Sequence, residues 1–207
     1  MKQNKINKKF VYLISPDKIT DTSFYNDLAL VLSSKKISFF QLRLKKETYL
    51  NKLIIGKKIK KICNKYKVKF LINDDPLLVK KLNADGCHLG QKDMNLIEAR
   101  KILKNKIIGV TCHNSINLAK RAINAGADYL AFGAFYASKT KIVKYRASLT
   151  ILKSIKKITS IPIIAIGGIR LSNYKKLLLN KANFLAISGY IWNNKKYKPL
   201  EAIKKLK

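Results

Sequence analysis

Carboxylates are what this chain has least of for its size. Its 207 residues carry 11 acidic side chains against 44 basic ones, a formal charge of +33. Long apolar runs are missing too, and none approaches the roughly 20 residues a membrane-spanning helix needs. The basic start, MKQNKINKKFVYLISPD, is apolar only from Phe10 to Ser15. That is short of the about 7–15 residues of a secretory core segment, and no small-residue cleavage site follows. Residues 1–9 read as a flexible, solvated basic start before a first strand, and the expected location is the cytoplasm. Cys63, Cys87 and Cys112 make no CxxC pair, so they are expected to be reduced thiols rather than a redox or zinc motif.

Arginine is scarce as well. It occurs only at 43, 100, 121, 146 and 170, so 39 of the 44 cations are lysine. Nucleic-acid readers favour arginine for bidentate contacts to bases and phosphate. Here lysine is spread along helical faces (KKIKKICNKYK, ILKSIKKI) beside abundant Ile and Asn, as A/T-rich codon usage would produce. Non-specific affinity for polyanions at low salt still follows from the charge. A Lys-rich nucleic-acid-binding protein is therefore one reading of the composition, though its residue choice argues against it.

What is present is a repeating pattern. Apolar and β-branched runs mark strands at Phe10–Ser15, Ser38–Lys45, Lys69–Asn73, Gly86–Gly90, Ile107–Thr111, Tyr129–Phe135, Ile163–Gly167 and Phe184–Ser188. Helical segments lie between and after them, at Thr22–Lys35, Thr48–Tyr66, Pro76–Leu82, Leu96–Lys104, Ser115–Ala125, Leu149–Ile158, Ser172–Asn180 and Leu200–Leu206. Strict βα alternation implies a parallel sheet, and eight repeats close a (β/α)8 TIM barrel of near-minimal length. A doubly wound open sheet alternates in the same way, but no G-x-G-x-x-G follows the first strand and the glycines gather after the seventh and eighth. Residues 1–207 are expected to form one α/β domain.

A barrel carries its chemistry at the C-terminal ends of its strands. In the second strand, FQLRLKK, alternation turns Gln41, Arg43 and Lys45 towards the interior near the mouth and Leu42 and Leu44 towards the helices. Unpaired cations there would cost several kcal/mol, so an anion must be near, either a ligand or an internal carboxylate. Asp74 and Asp93 end strands three and four, about 4.8 Å apart in a sheet. Alone they would repel and one would take up a proton; Mg2+ removes the conflict and leaves coordination sites for water and phosphate. The competing role for Asp74 is to cap the helix that begins at Pro76. Strand five brings Thr111 and His113 to the rim. Strand six ends in a hydroxyl-rich loop with Ser138, Thr140 and Lys141. Glycines after strands seven and eight offer backbone N–H groups for a phosphate. The rim thus suits two phosphorylated substrates, one of them a diphosphate, and shows no Ser–His–Asp arrangement.

These residues, in this order, resemble the thiamine-phosphate synthase family, also called thiamine-phosphate pyrophosphorylase. The family's Q-x-R-E-K stretch is matched by Gln41-Leu42-Arg43-Leu44-Lys45, and its N-D and G-A-D-G-V-H-L-G-Q-x-D segments by Asn73-Asp74 and NADGCHLGQKD. Its P-T-x-T-K loop is matched by Ala137-Ser138-Lys139-Thr140-Lys141, followed by AIGGI and AIS. The resemblance implies that a hydroxymethylpyrimidine diphosphate and a thiazole phosphate are joined to thiamine phosphate with release of pyrophosphate. It implies that Gln41, Leu42, Arg43, Leu44, Lys45, Asn73, Thr111 and Lys141 bind the pyrimidine diphosphate, with Arg43, Lys45 and Lys141 as the catalytic cations. Mg2+ would be held at Asp74 and Asp93, and the thiazole phosphate at Ser138, Lys139, Thr140, Gly168, Ile187 and Ser188. Two departures stand out: Leu44 replaces the family's Glu, and Ala137-Ser138 replaces Pro-Thr. A thiazole tautomerase on the same barrel is the alternative enzyme, and it would need an acid–base group such as His113 and no metal.

Overall fold

The computed structural model describes residues 9–137 and 144–207. The chain runs β1 (Val11–Ile14), α1 (Ser23–Ser33), β2 (Ile37–Leu42), α2 (Tyr49–Lys65), β3 (Lys69–Asn73), α3 (Pro76–Leu82), β4 (Gly86–Leu89), α4 (Leu96–Leu103) and β5 (Ile107–His113). It continues α5 (Ile116–Asn124), β6 (Tyr129–Gly133), α6 (Leu149–Lys156), β7 (Ile163–Ile166), α7 (Tyr174–Leu179), β8 (Phe184–Ile187), α8 (Gly189–Trp192) and α9 (Pro199–Lys205). Every strand pairs in parallel with its neighbour in sequence, and β8 returns to β1. The sheet is a closed barrel, which excludes the doubly wound alternative. Among the described residues no helix is long and apolar enough to cross a membrane.

Two apolar layers follow from strand alternation. One side of each strand packs under the helices: Val11 and Leu13, Phe40 and Leu42, Phe70 and Ile72 all lie in that outer core. The other side fills the barrel with Tyr12, Ile14, Leu71, Tyr129, Ala131, Ile164 and Ala186, flanked by Phe39, Ile107, Ile166 and Phe184. Aromatic rings plug the centre, with Phe39 5.5 Å from Tyr12 and 5.1 Å from Phe184 between centroids. Gly109 is required by this plug, because a Cβ there would come within 1.8 Å of the Tyr129 ring.

Three of the eight strand entrances share one device. The pairs Ala84-Asp85, Ala127-Asp128 and Ala182-Asn183 stand just before β4, β6 and β8. In each, the alanine is buried and the Asp or Asn side chain accepts an N–H from the first or second residue of the preceding strand: Phe70 (2.9 Å), Ile108 (2.7 Å) and Ile163 (2.8 Å). The same residue donates its own N–H back to that strand at 2.8 Å in all three cases. Two of the scarce carboxylates thus serve strand starts whose N–H groups would otherwise be unpaired. Helix starts use the neutral or acidic caps their sequence offers: Thr48, Asp75, Asn95 and Ser115 each accept a first-turn N–H.

Helix and strand bounds match the periodicity to within a few residues, with two informative differences. β2 ends at Leu42 rather than Lys45, so Arg43 and Lys45 sit in the loop above the strand. A short helix, α8, follows β8 directly and escapes sequence reading because four residues carry no period.

Candidate active site at the barrel mouth

The turn after β3 decides what each of two consecutive aspartates does. Asp75 caps α3, accepting the Leu78 N–H at 2.9 Å, with Pro76 in the first turn. Asp74 is therefore not the cap. Its backbone takes the left-handed conformation (φ 66°) and donates its N–H to His88 O at 2.8 Å. That turn points the Asp74 carboxyl at Asp93, which closes the loop after β4 by accepting the Gly90 N–H at 2.6 Å.

The two carboxyl groups share a hydrogen bond. Burial raises both, and the neighbouring charge then splits them. Burial and the Asp74 carboxylate push Asp93 above the usual carboxylate range. For Asp74, the bond from Asp93 and the Lys45 ammonium at 2.9 Å outweigh burial and hold the group below that range. The pair therefore holds its first proton more readily than an isolated carboxylate would, as expected of two carboxylates at neighbouring strand ends. No group of three or more His, Cys, Asp or Glu able to hold a metal is gathered among the described residues. Two carboxylates are nevertheless a sufficient protein share for Mg2+, which keeps several waters and takes substrate phosphate as ligands.

The second strand behaves partly as its alternation implies. Leu42 and Leu44 are each 3% exposed and belong to the outer core, so the Leu found in place of the family's Glu is a packing residue. Gln41 is 2% exposed, and its Nε2 has no hydrogen-bond partner among the described residues. Each cation has the anionic neighbour that the charge argument required, here a carboxylate, but at the rim rather than in the interior: Arg43 bonds Asp17 at 2.6 Å and Lys45 bonds Asp74. The reason is the early end of β2, which lifts both side chains to the rim. A cleft of about 290 Å³ opens beside them, bordered by Lys45, Lys52, Asn73, Asp74 and Asp75 over a floor of Leu42, Leu44 and Leu78. Lys52 was not singled out by any motif; it enters because the first turn of α2 faces this cleft.

On the far side of the mouth, Gly168 has φ 61° and lies so close to Ala137 O that a Cβ would come within 2.2 Å of it. Ser188 precedes α8 and its hydroxyl donates to Ser15 O at 3.0 Å, tying β8 to β1. Ile187 is 2% exposed and packs in the outer core, so its side chain is turned away from the mouth. Its share in a phosphate site could only come from its backbone. Ser138, Lys139, Thr140 and Lys141 lie outside the described residues.

Thr111 stands at the mouth with its Oγ1 2.8 Å from His88 Nε2. His88 is the main residue that sequence reading missed, although alternation along β4 already placed it on the interior face between Gly86 and Gly90. His113, by contrast, adopts φ 53° and stacks on Tyr145 at 4.2 Å between centroids. The neighbouring Asn114 accepts the Ser148 N–H at 3.3 Å, so this end of β5 holds the segment leading into α6.

Comparison with known proteins agrees with this geometry. The family model described as thiamine monophosphate synthase matches residues 11–191. A thiamine-phosphate synthase of Pelagibacter ubique is 91% identical over 207 residues, all of both chains. One from Nitrosomonas eutropha is 38% identical over 191 residues, 92% of this chain and 90% of its own. Among solved structures, a thiamine phosphate pyrophosphorylase from Pyrococcus furiosus superposes with a TM-score of 0.82 at 26% identity, covering 98% of this chain and 96% of its own. A 3-hexulose-6-phosphate synthase (TM-score 0.67, 16% identity, 95% of this chain and 98% of its own) shares the fold alone. The barrel, the acidic pair after β3 and β4, and these matches place the chain in the thiamine monophosphate synthase family.

Proposed function

We propose that the chain joins 4-amino-2-methyl-5-(diphosphooxymethyl)pyrimidine to a thiazole phosphate, giving thiamine phosphate and pyrophosphate. The observation that carries the site assignment is the Asp74–Asp93 pair with Lys45 against it. Bound between those carboxylates, Mg2+ would supply positive charge to the leaving diphosphate and keep coordination sites for its oxygens.

The protein's own part is positioning and charge. Arg43 and Lys45 rest on carboxylates at the rim, and diphosphate oxygens arriving there would compete for the same N–H donors. Lys141, from the resemblance, and Asn73 would complete the diphosphate cradle. The buried Gln41 amide offers a donor to the pyrimidine half. As the C–O bond to the diphosphate breaks, its electron pair leaves with the phosphate oxygen. The electron-rich aminopyrimidine stabilises the carbon left behind, and the thiazole nitrogen closes a new C–N bond with its lone pair. No protein nucleophile is consumed, so the rate enhancement comes from orientation and from neutralising the leaving group. Ser138, Lys139 and Thr140, with the backbone of Gly168, Ile187 and Ser188, would hold the thiazole phosphate. Phosphorylated substrates do not cross membranes unaided, which supports a cytoplasmic reaction.

Purified protein, both substrates and Mg2+ should yield thiamine phosphate and pyrophosphate in equal amounts. Isomerised thiazole without pyrophosphate would instead indicate the tautomerase reading, and undiminished synthesis in excess chelator would remove the metal from the scheme.

A further inference from the structure

A polar line runs up the barrel interior that this scheme leaves unused. Tyr12 Oη lies 2.9 Å from Tyr129 Oη, Tyr129 Oη 2.8 Å from His88 Nδ1, and His88 Nε2 2.8 Å from Thr111 Oγ1. It starts in the aromatic plug, where Tyr12 and Tyr129 are each 2% exposed, and ends on the half-buried Thr111 at the mouth. The His88 and Tyr129 rings stack at 14°, and Gly109 clears the space that Tyr129 occupies.

Counting protons gives the line a direction. With a neutral imidazole the four groups carry one polar hydrogen each, and there are three contacts, so one hydrogen is left over, on Tyr12, Tyr129 or Thr111; on Tyr129, which is 2% exposed, it would be a buried unpaired donor. If the bonds point downwards, the leftover is the Tyr12 O–H, whose one hydrogen-bond partner among the described residues is Tyr129. It would then be an unpaired donor on a side chain 2% exposed within the inner apolar cluster, which is costly. If they point upwards, Tyr12 donates to Tyr129, Tyr129 to Nδ1 and Nε2–H to Thr111, and the leftover is the Thr111 O–H at the mouth. Burial pushes both phenols far above their ordinary range, so both keep the hydrogens this count requires.

We propose that Tyr12, Tyr129 and His88 are positioning residues that fix Thr111, which the resemblance places against the pyrimidine diphosphate, as a hydrogen-bond donor to that substrate, with Tyr129 donating to His88 Nδ1 and His88 Nε2–H donating to Thr111 Oγ1. The ligand half of this statement rests on the proposed function; the relay does not. Its consequence is that a floor residue three contacts away controls whether the mouth presents a donor or an acceptor to that substrate.

The chain has two histidines, so 15N-histidine labelling, with His113→Asn to separate the signals, reads the His88 tautomer without any substrate. The expected result is a protonated Nε2 and a bare Nδ1 at neutral pH. In Tyr129→Phe the bias is lost: mixed tautomers are expected, with KM for the pyrimidine diphosphate up about tenfold and KM for the thiazole phosphate within about twofold. Thr111→Val should raise the same KM by about tenfold or more, and Thr111→Ser should restore it. A wild-type Nδ1–H imidazole overturns the relay even if Tyr129→Phe does not fold. A wild-type Nε2–H imidazole with KM unmoved in Thr111→Val overturns the donor role. Failure of the proposed function would show differently, as no thiamine phosphate from the wild-type protein.

Discussion

The carboxyls of Asp74 and Asp93, nineteen positions apart in sequence, hydrogen-bond to each other at the mouth of the barrel while Asp75 takes the capping duty next door. The pair is brought together by the adjacency of β3 and β4, and kept from separating by the Gly90 N–H on one side and Lys45 on the other. Cation binding and proton binding therefore compete for one site.

Because burial and the Asp74 carboxylate raise Asp93 above the usual carboxylate range, a divalent cation entering at a pH within that raised range must displace a proton from the pair. Mg2+ affinity should rise with pH through that raised range, by about one proton released per ion, and level off above it. Calorimetric titration in buffers of different ionisation enthalpy counts the proton; an affinity independent of pH would contradict the assignment.

Asp93→Ala should lower Mg2+-dependent turnover by orders of magnitude and leave the circular dichroism spectrum unchanged. Asp75→Ala makes the paired control. It removes the α3 cap and should cost about 1 kcal/mol of stability, with Mg2+ affinity close to wild type. Equal effects of the two substitutions on turnover would mean that the acidic cluster acts only structurally.

Gln41 keeps a buried Nε2 without a partner among the described residues. Gln41→Met has a similar length and no amide to desolvate, so thermal unfolding should show a gain of about 1 kcal/mol or no loss. Its KM for the pyrimidine diphosphate should rise about ten- to a hundredfold. A destabilised variant with unchanged KM would show that the amide serves the fold instead.

Asp85 binds the Phe70 N–H, Lys60 and Lys69 together. Burial opposes its ionisation, but these three donors outweigh it and hold the carboxyl below its ordinary value. Its stabilising contribution is therefore complete above the ordinary carboxylate pKa of about 3.9 and is lost as pH falls through the depressed value. Asp85→Ala should cost about 2 kcal/mol at neutral pH by leaving the strand N–H and the lysines unpaired. The difference from wild type should shrink in acid, as urea denaturation at several pH values would reveal.

His113→Asn should keep most of the synthase activity, since the ring stacks on Tyr145 and Asn tolerates the φ of 53° found there. Collapse of thiamine phosphate formation in this variant would revive acid–base chemistry at His113.

The sequence was informative wherever period and chemistry coincide. Alternation sufficed to send Leu42 and Leu44 outward and Gln41 inward, and βα alternation sufficed for the barrel. It was misleading at Arg43 and Lys45, because where a strand ends depends on the turn above it and not on the apolar run. It was silent on His88, whose role depends on Tyr129 reaching across from β6 through the gap at Gly109. Ser138, Lys139, Thr140 and Lys141 lie outside the described residues, so their place in the site remains a proposal from resemblance.

By itself the sequence determined eight βα repeats, the apolar face of each strand and the scarcity of acids, since all three are local properties of spacing and composition. Only the tertiary structure decided which of two adjacent aspartates faces its distant partner, which carboxylates neutralise the rim cations, and which hydroxyls line up through the barrel. Those outcomes depend on distances of a few ångströms between residues far apart in the chain, and closure of the sheet is what sets them.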